Sequence, residues 1–367
     1  MSLPISDRQR LFFRYVRMGL WKKEEAYLGN PLSSEEWEEL FRLAHSQAVT
    51  GLLIDGVALD TQRPDQTVWD TWVAHLFFLE RANRYIAQRG EAWIVKLAQA
   101  GISATLFKGS SVASWYPEPW HRSHGDVDIV ITDGWERLEA LLAQEGCTLY
   151  RSQEDEIVLE EKNRLLVEFH RHWECLYNPL TNRRLQQICR SAQPGDKEVY
   201  FVCLILHIQR HILTYGVGLK QICDVAVMLR RASLDLEKVA SLLRRLHVES
   251  FSCLLFGFIS IYLGGVEQYP LAPVTTGKSW ERLNRAILQE GYDSKIEQER
   301  VADSKSRSVS RIASNAVFWT KRCFSIYRLM PSEAGCFLLS KVFKRLGSLY
   351  KNINVIQNET KCSEESR

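Results

Sequence analysis

Two aspartates separated by one residue stand inside an otherwise apolar run, and this pattern constrains the fold more than any other. Asp126 and Asp128 flank Val127, and residues 129–131 continue the run as Ile-Val-Ile. Residues i and i+2 of a β-strand project from the same face, so both carboxylates are predicted to share one face while the apolar side chains meet a core. Two parallel carboxylates are costly unless a cation lies between them. The pattern therefore predicts a divalent metal site at the end of a strand.

The periodicity of apolar residues divides the chain into helical regions around a small α/β section. Strands are predicted over residues 102–107, 126–132, 147–151, 156–161 and 164–170, with a tight hairpin at Lys162-Asn163 joining the last two. Helical spacing dominates on either side, and Gly101 is a plausible end for the helix before the first strand. We predict an α+β fold in which helical regions flank a small mixed sheet. The expected divisions are 1–100, 101–198, 199–304 and a basic helical extension with a polar tail over 305–367.

Composition narrows the class of protein. Hydrophobic residues make up 46% and charged residues 25% of the 367 residues, which is ordinary for a soluble globular chain. The net charge of +3 does not by itself indicate a nucleic-acid partner. Nine cysteines without a Cys-x-x-Cys pair favour reduced thiols over a disulfide framework or a zinc site. The uncharged run 250–266 is short for a membrane span and predicts a buried core helix, so we expect a cytoplasmic protein without integral membrane association.

Further polar residues are predicted to join the aspartates. Lys108, Gly109 and Ser110 lie where a strand gives way to a helix, and a glycine at a helix N-terminus is typical of a phosphate-binding corner. Glu168 interrupts an apolar strand and shares its face with His170. If that strand lies beside the aspartate strand, three carboxylates converge.

This constellation predicts nucleotide chemistry. Asp126, Asp128 and Glu168 are candidates to hold two Mg²⁺ ions, with Mn²⁺ as the alternative, and such ions activate an attacking hydroxyl and stabilise a leaving pyrophosphate. The substrate expected for such a site is a nucleoside triphosphate (NTP). Glu168 is also a candidate general base, while Lys108 and Arg122 are candidates to neutralise phosphate charge.

The segment LFKGSSVASWYPEPWHRSHGDVDIVI (residues 106–131) resembles the bacterial family NTP_transf_5, within the DNA polymerase β-type nucleotidyltransferase superfamily. The matching positions are Lys108-Gly109, Tyr116-Pro117-Glu118-Pro119, Arg122 and Asp126-x-Asp128. The segment VEFHRHW resembles the family's later strand and gives Glu168 and His170. The helical segments LHIQRH and LKQICDVAVML give His207, His211, Lys220 and Asp224 as candidates to line the substrate pocket. The resemblance implies an ATP-binding or other NTP-binding transferase that moves a nucleoside monophosphate to an acceptor and releases pyrophosphate.

Several alternatives stay open on the sequence. The acceptor can be a small molecule, a sugar, a protein or RNA. An RNA-modifying, toxin-like enzyme and a catalytically silent nucleotide-binding regulator are the rival functions. His207 and His211, four residues apart on one helix face, can bind metal, line the pocket or pack. The basic segment 305–351 is expected either to dock on the helical region or to face a polyanion or an anionic membrane.

Overall fold

Helices surround one small β-sheet in the computed structural model of the protein. The structure describes residues 7–25, 30–145, 147, 149–153, 155–193, 195–214, 216–290 and 309–341. Within these residues, four helices precede the sheet: α1 (Asp7–Trp21), α2 (Ser34–Ser46), α3 (Thr50–Ala58) and α4 (Gln66–Gln99). Helices α5 (Gly109–Ala113) and α6 (Trp135–Gln144) lie between strands. The helices that follow the sheet are α7 (Pro179–Ser191), α8 (Lys197–Leu213), α9 (Leu219–Arg231), α10 (Leu236–Arg245), α11 (Glu249–Phe258), α12 (Gly277–Arg285), α13 (Val309–Ile326) and α14 (331–341).

The sheet has five strands in the order β1-β2-β5-β4-β3. They are β1 (Ser103–Phe107), β2 (Val127–Asp133), β3 (Leu149–Gln153), β4 (Glu156–Glu160) and β5 (Leu166–His170). Strands β2 and β5 are parallel, and the other neighbouring pairs are antiparallel. The predicted α+β class with a mixed sheet is therefore confirmed.

The predicted hairpin between the fourth and fifth strands is present. A 3₁₀ turn over Lys162–Arg164 joins β4 to β5, and the N–H of Glu161 donates to the carbonyl of Leu165 at 2.8 Å. Asn163 has a φ of +65°, a left-handed conformation that asparagine tolerates better than most residues. The turn brings β5 back beside β4 and thereby fixes the position of Glu168.

One face of the sheet is a hydrophobic core. Alternate residues of β2 and β5 pack against α4 and α6, and all of them are nearly fully buried: Val127, Ile129, Ile131, Val167 and Phe169, with Trp93, Leu97, Leu138 and Leu142 from the helices. The rings of Trp93 and Phe169 meet edge to face at 5.2 Å. Because strand side chains alternate, the intervening residues Asp128, Glu168 and His170 lie on the opposite face.

Strand boundaries differ from the predicted ones by up to two residues. Strand β2 begins at Val127 because its ladder with β5 begins there, so Asp126 precedes the strand and has no position in it. Strand β3 covers Leu149–Gln153 where 147–151 was expected, and β5 begins at Leu166. Asp128 therefore lies in the strand, and Asp126 immediately precedes it.

The predicted end of the long helix and the predicted core helix are both confirmed. Helix α4 ends before Gly101, which has a φ of +71°, and the N–H of Ile102 donates back to the carbonyl of Leu97. The uncharged run forms buried helix α11 and a π-helical turn over Ile259–Leu263. Among the described residues, no helix combines the length and the apolar character that crossing a membrane requires.

The described part of the basic segment packs against the helical region. Phe337 is fully buried and contacts the rings of Tyr177 and Trp319, at 4.7 and 5.3 Å. The carboxylate of Glu333 accepts the backbone N–H of Tyr177, and Arg322 donates to the carbonyl of Ile212 at the end of α8. The expectation of a docked face is confirmed here. Residues 305–308 and 342–351 of this segment lie outside the described residues.

Candidate functional site

Two carboxylates and an imidazole meet on the polar face of the parallel strand pair. Asp128 of β2 stands opposite Glu168 of β5 in the strand register. His170 places Nε2 2.9 Å from Asp128 Oδ1 and 3.5 Å from Glu168 Oε2. Their ligand atoms all lie within 4.8 Å of one another, so this group can hold a metal ion. Among the described residues, this group does not include Asp126.

Lys108 brings a positive charge to the same group. Its Nζ lies 3.0 Å from Asp128 Oδ1, and its side chain is 14% exposed. Lys108 follows β1 with a φ of +60°, and Gly109 comes next with a φ of +41°, so the chain turns sharply after the strand. The predicted glycine-serine turn is therefore in place, although the helix that it opens, α5, has only five residues.

Tyr200 of α8 holds this turn, and the sequence did not single it out. Its hydroxyl accepts the backbone N–H of Lys108 at 2.9 Å and lies 2.7 Å from the Ser111 hydroxyl, which itself donates to the Lys108 carbonyl. The Tyr200 ring also packs edge to face with Phe107 and Trp173. The turn is thus positioned by a helix that lies about ninety residues further along the chain.

The electrostatics of the group favour a bound cation. Burial opposes the charge of Asp128, yet Lys108 and His170 hold the pKa of Asp128 well below its usual range. Burial, followed by repulsion from Asp126 and Asp128, raises the pKa of Glu168 to about 8. Burial and the charge of Asp128 likewise raise the pKa of Asp126. A cation beside these carboxylates would lower the repulsion, so the donor set and its charge fit a divalent metal.

Lys220 is a second cation near the carboxylates. It lies in the first turn of α9, and burial together with the nearby Arg122 lowers its pKa, while the charges of Asp126, Asp224 and Asp128 act in the opposite direction. Within the described part of the chain, the Lys220 ammonium makes no hydrogen bond or ion pair. An unpaired ammonium near Asp126 is chemically suited to an anionic group such as a phosphate.

Arg122 is buried, whereas its predicted role, the neutralisation of phosphate charge, requires a guanidinium that faces open space. Its guanidinium is 4% exposed and binds both carboxylate oxygens of Asp224, at 2.8 and 2.6 Å. The Tyr116 hydroxyl donates to the same carboxylate at 2.7 Å. The Asn83 amide also donates to the carbonyl of Arg122, which ties the loop before Asp126 to α4. The structure therefore joins Arg122 and Asp224 in a buried pair that supports the loop, which differs from the expected phosphate contact.

His207 is bound by Glu174, a partner that the sequence analysis did not single out. His207 Nδ1 lies 3.0 Å from Glu174 Oε2, and the ring of His211 is 4.2 Å from that of His207. Arg210 Nε pairs with the other oxygen of Glu174 at 2.6 Å. Glu174 follows β5 by four residues without any periodic pattern, so only the folded chain reveals its pairing.

The fold and the site define a class of protein: an α+β chain in which a group of carboxylates and a histidine, able to hold a metal ion, lies beside two lysines. The sequence profile of NTP_transf_5, described as an uncharacterised nucleotidyltransferase, matches residues 33–264. This match covers more than half of the chain, and the protein belongs to that family. No curated protein and no solved structure shows significant similarity to the chain.

Proposed function

We propose that the protein is a metal-dependent nucleotidyltransferase that moves a nucleoside monophosphate from an NTP to an acceptor and releases pyrophosphate. One observation carries the proposal: Asp128 and Glu168 face each other on adjacent parallel strands, and Lys108 is bound to Asp128. The chain that holds this site belongs to a nucleotidyltransferase family. Membership of the family supports an NTP as the substrate, and the geometry supports a metal at the reacting centre.

Asp128, Glu168 and His170 would hold the metal ion, with Asp126 as a further carboxylate at its edge. Such an ion supplies Lewis-acid activation of the phosphoryl group when bound. Carboxylate ligands suit both Mg²⁺ and Mn²⁺. We therefore propose that the site works with Mg²⁺ and accepts Mn²⁺ readily.

We propose Lys108 and Lys220 as the residues that bind the triphosphate. Lys108 lies in the sharp turn after β1, and its ammonium pairs with one carboxylate oxygen of Asp128. Lys220 has no partner within the described residues and lies close enough to Asp126 for its charge to act on that carboxylate. Arg122 supports this arrangement from behind, because its bidentate bond to Asp224 fixes the loop that leads into Asp126.

Release of pyrophosphate and transfer of label test the proposal. The protein is incubated with α-labelled NTPs, Mg²⁺ or Mn²⁺, and a metabolite extract or total RNA as the source of acceptor. We expect labelled product and pyrophosphate from the wild type, and a loss of at least about a thousandfold in Asp128→Asn. Label in RNA supports the RNA-modifying alternative, and metal-dependent NTP binding without any transfer supports the silent regulator and contradicts the enzyme.

The control variant must keep the fold while leaving the site intact. Glu160→Gln serves, because Glu160 is exposed at the end of β4 and stands opposite Leu166, outside the carboxylate group. Transfer at the wild-type rate in Asp128→Asn contradicts the proposal, provided that Glu160→Gln is also active.

A further inference from the structure

Glu174 is a buried carboxylate between an arginine and a histidine. Its side chain is 2% exposed, Oε1 forms an ion pair with Arg210 Nε at 2.6 Å, and the backbone N–H of Cys175 donates to Oε1 at 2.9 Å. A carboxylate beside an arginine charge accepts hydrogen bonds. Its second oxygen, Oε2, contacts the His207 ring.

This contact assigns the tautomer of His207. Because Glu174 Oε2 accepts, the 3.0 Å contact places a proton on His207 Nδ1. Arg210 Nη2 lies 3.4 Å from the same nitrogen, a longer contact that a protonated Nδ1 does not accept. Burial, followed by the charges of Lys108 and Arg210, lowers the pKa of His207, so the ring is neutral. Its Nε2 consequently carries a lone pair, and no hydrogen-bond partner occupies it among the residues described.

The His207 ring lies within electrostatic range of the carboxylate group. Tyr200, which contacts Lys108, lies seven residues earlier on α8, so both side chains project from the same side of the helix. The charges of Lys108, Asp128 and His170 act on the His207 ring, and the ring in turn acts on Asp128. An oriented imidazole thus lies on the side of α8 that contacts Lys108, within electrostatic range of the proposed reacting centre.

The two carboxylates on the strands are already engaged. Asp128 is bound by Lys108 and His170, and Glu168 is proposed as a metal ligand, which leaves it unable to take a proton while bound. A nucleotidyl transfer from a hydroxyl nevertheless requires that the hydroxyl proton leave. His207 is the neutral, oriented acceptor that the geometry offers for it.

We propose that His207 is the general base of the transfer reaction and that Glu174 is its positioning residue; this inference rests on the proposed function. The acceptor oxygen forms a bond to the α-phosphorus, the bond from that phosphorus to the bridging oxygen breaks, and pyrophosphate leaves with the bonding electron pair. The acceptor's proton passes to His207 Nε2. The imidazolium that results is stabilised by the Glu174 carboxylate on Nδ1 and then loses its proton to solvent.

The test compares His207→Gln, His207→Ala and Glu174→Gln with the wild type, using α-labelled ATP and Mn²⁺. We expect kcat to fall about a hundredfold or more in both His207 variants, with KM for ATP within about twofold. Glu174→Gln keeps the imidazole and is expected to lose about ten- to a hundredfold in kcat. Added imidazole is expected to restore part of the activity of His207→Ala, which a purely structural role of the ring would not allow. His75→Gln is the matched control, because His75 is a partly buried histidine whose Nε2 bonds Thr50 away from the site.

The outcomes separate this inference from the function on which it rests. No transfer by the wild type overturns both. Transfer by His207→Gln within about threefold of the wild type overturns the inference alone. Loss of Mn²⁺ binding in a folded His207→Gln protein, measured by calorimetry, also overturns it, because the ring would then be a metal ligand. Imidazole rescue of His207→Ala, without rescue of Asp128→Asn, supports it.

Discussion

Replacing Glu168 with glutamine should remove a pH-dependent loss of stability from the metal-free protein. Burial and the neighbouring aspartates raise the pKa of Glu168 from 4.5 to about 8 in the folded chain. A carboxyl whose pKa is raised on folding binds its proton more tightly in the folded state than in the unfolded state. The folded state therefore has its full stability below the unfolded pKa, and it loses stability as the pH rises from 4.5 to about 8.

The size of the loss follows from the width of that window. Each pH unit inside it lowers the free energy of unfolding by about 1.4 kcal/mol for one proton. Between about pH 5.5 and about pH 8.5, the ionisation of Glu168 is expected to cost about 3 kcal/mol. Glutamine cannot ionise, so Glu168→Gln should lack this loss while keeping nearly the same shape.

The assay is urea unfolding in EDTA, followed by tryptophan fluorescence, at about pH 5.5 and about pH 8.5. The measured quantity is a double difference in the free energy of unfolding. The value for the wild type is subtracted from that for Glu168→Gln at each pH, and the result at the lower pH is then subtracted from the result at the higher pH. We expect about 3 kcal/mol in favour of the variant. Glu160→Gln, at the exposed position on β4, should give a value near zero.

A divalent ion should cancel the loss. Mn²⁺ at about a hundred times its dissociation constant should stabilise the wild type by about 2.7 kcal/mol at about pH 8.5, and it should have little effect on Glu168→Gln. A double difference below about 1 kcal/mol, or equal stabilisation of both proteins by Mn²⁺, would refute the reasoning that the carboxylates form an under-compensated cation site.

Two further predictions concern the cations around the site. Asp224→Asn leaves the buried Arg122 guanidinium without its counter-charge, so the free energy of unfolding should fall by about 3 to 5 kcal/mol in urea titrations, and a loss below about 1 kcal/mol would contradict the support role. Lys220→Met removes an ammonium that has no partner in the described part of the chain. It should therefore leave the unfolding midpoint almost unchanged while weakening calorimetric binding of NTP about tenfold, and unchanged NTP binding would remove Lys220 from the site.

The strand part of the site could be predicted because local pattern determines it. Alternation of apolar and acidic residues places Asp128 and Glu168 on one face of their strands, and an apolar core on the other face requires it. The parallel pairing that sets the two carboxylates opposite each other depends on the tertiary structure. The sequence pattern was compatible with this pairing. The predicted second strand began one residue too early, at Asp126, because the backbone ladder, and not the run of apolar residues, determines where a strand begins.

The supporting residues could not be predicted, since their partners lie far away in the sequence. Arg122 and Asp224 are 102 positions apart, and Tyr200 bonds Lys108 across 92 positions. No periodicity encodes such pairs, and an isolated arginine after a loop suggests a phosphate ligand as readily as a buried ion pair. Glu174 carried no signal either, because its role depends on two side chains of α8.

The position of the transferred phosphorus tests the central claim most directly. Parallel incubations with α-labelled and γ-labelled NTP, each with wild type and Asp128→Asn, show which group moves and whether Asp128 is required. The account predicts that label from the α-position appears in the acceptor fraction, that label from the γ-position appears in pyrophosphate, and that Asp128→Asn abolishes both. Transfer of the γ-label to the acceptor, or α-transfer that survives in Asp128→Asn, would contradict it.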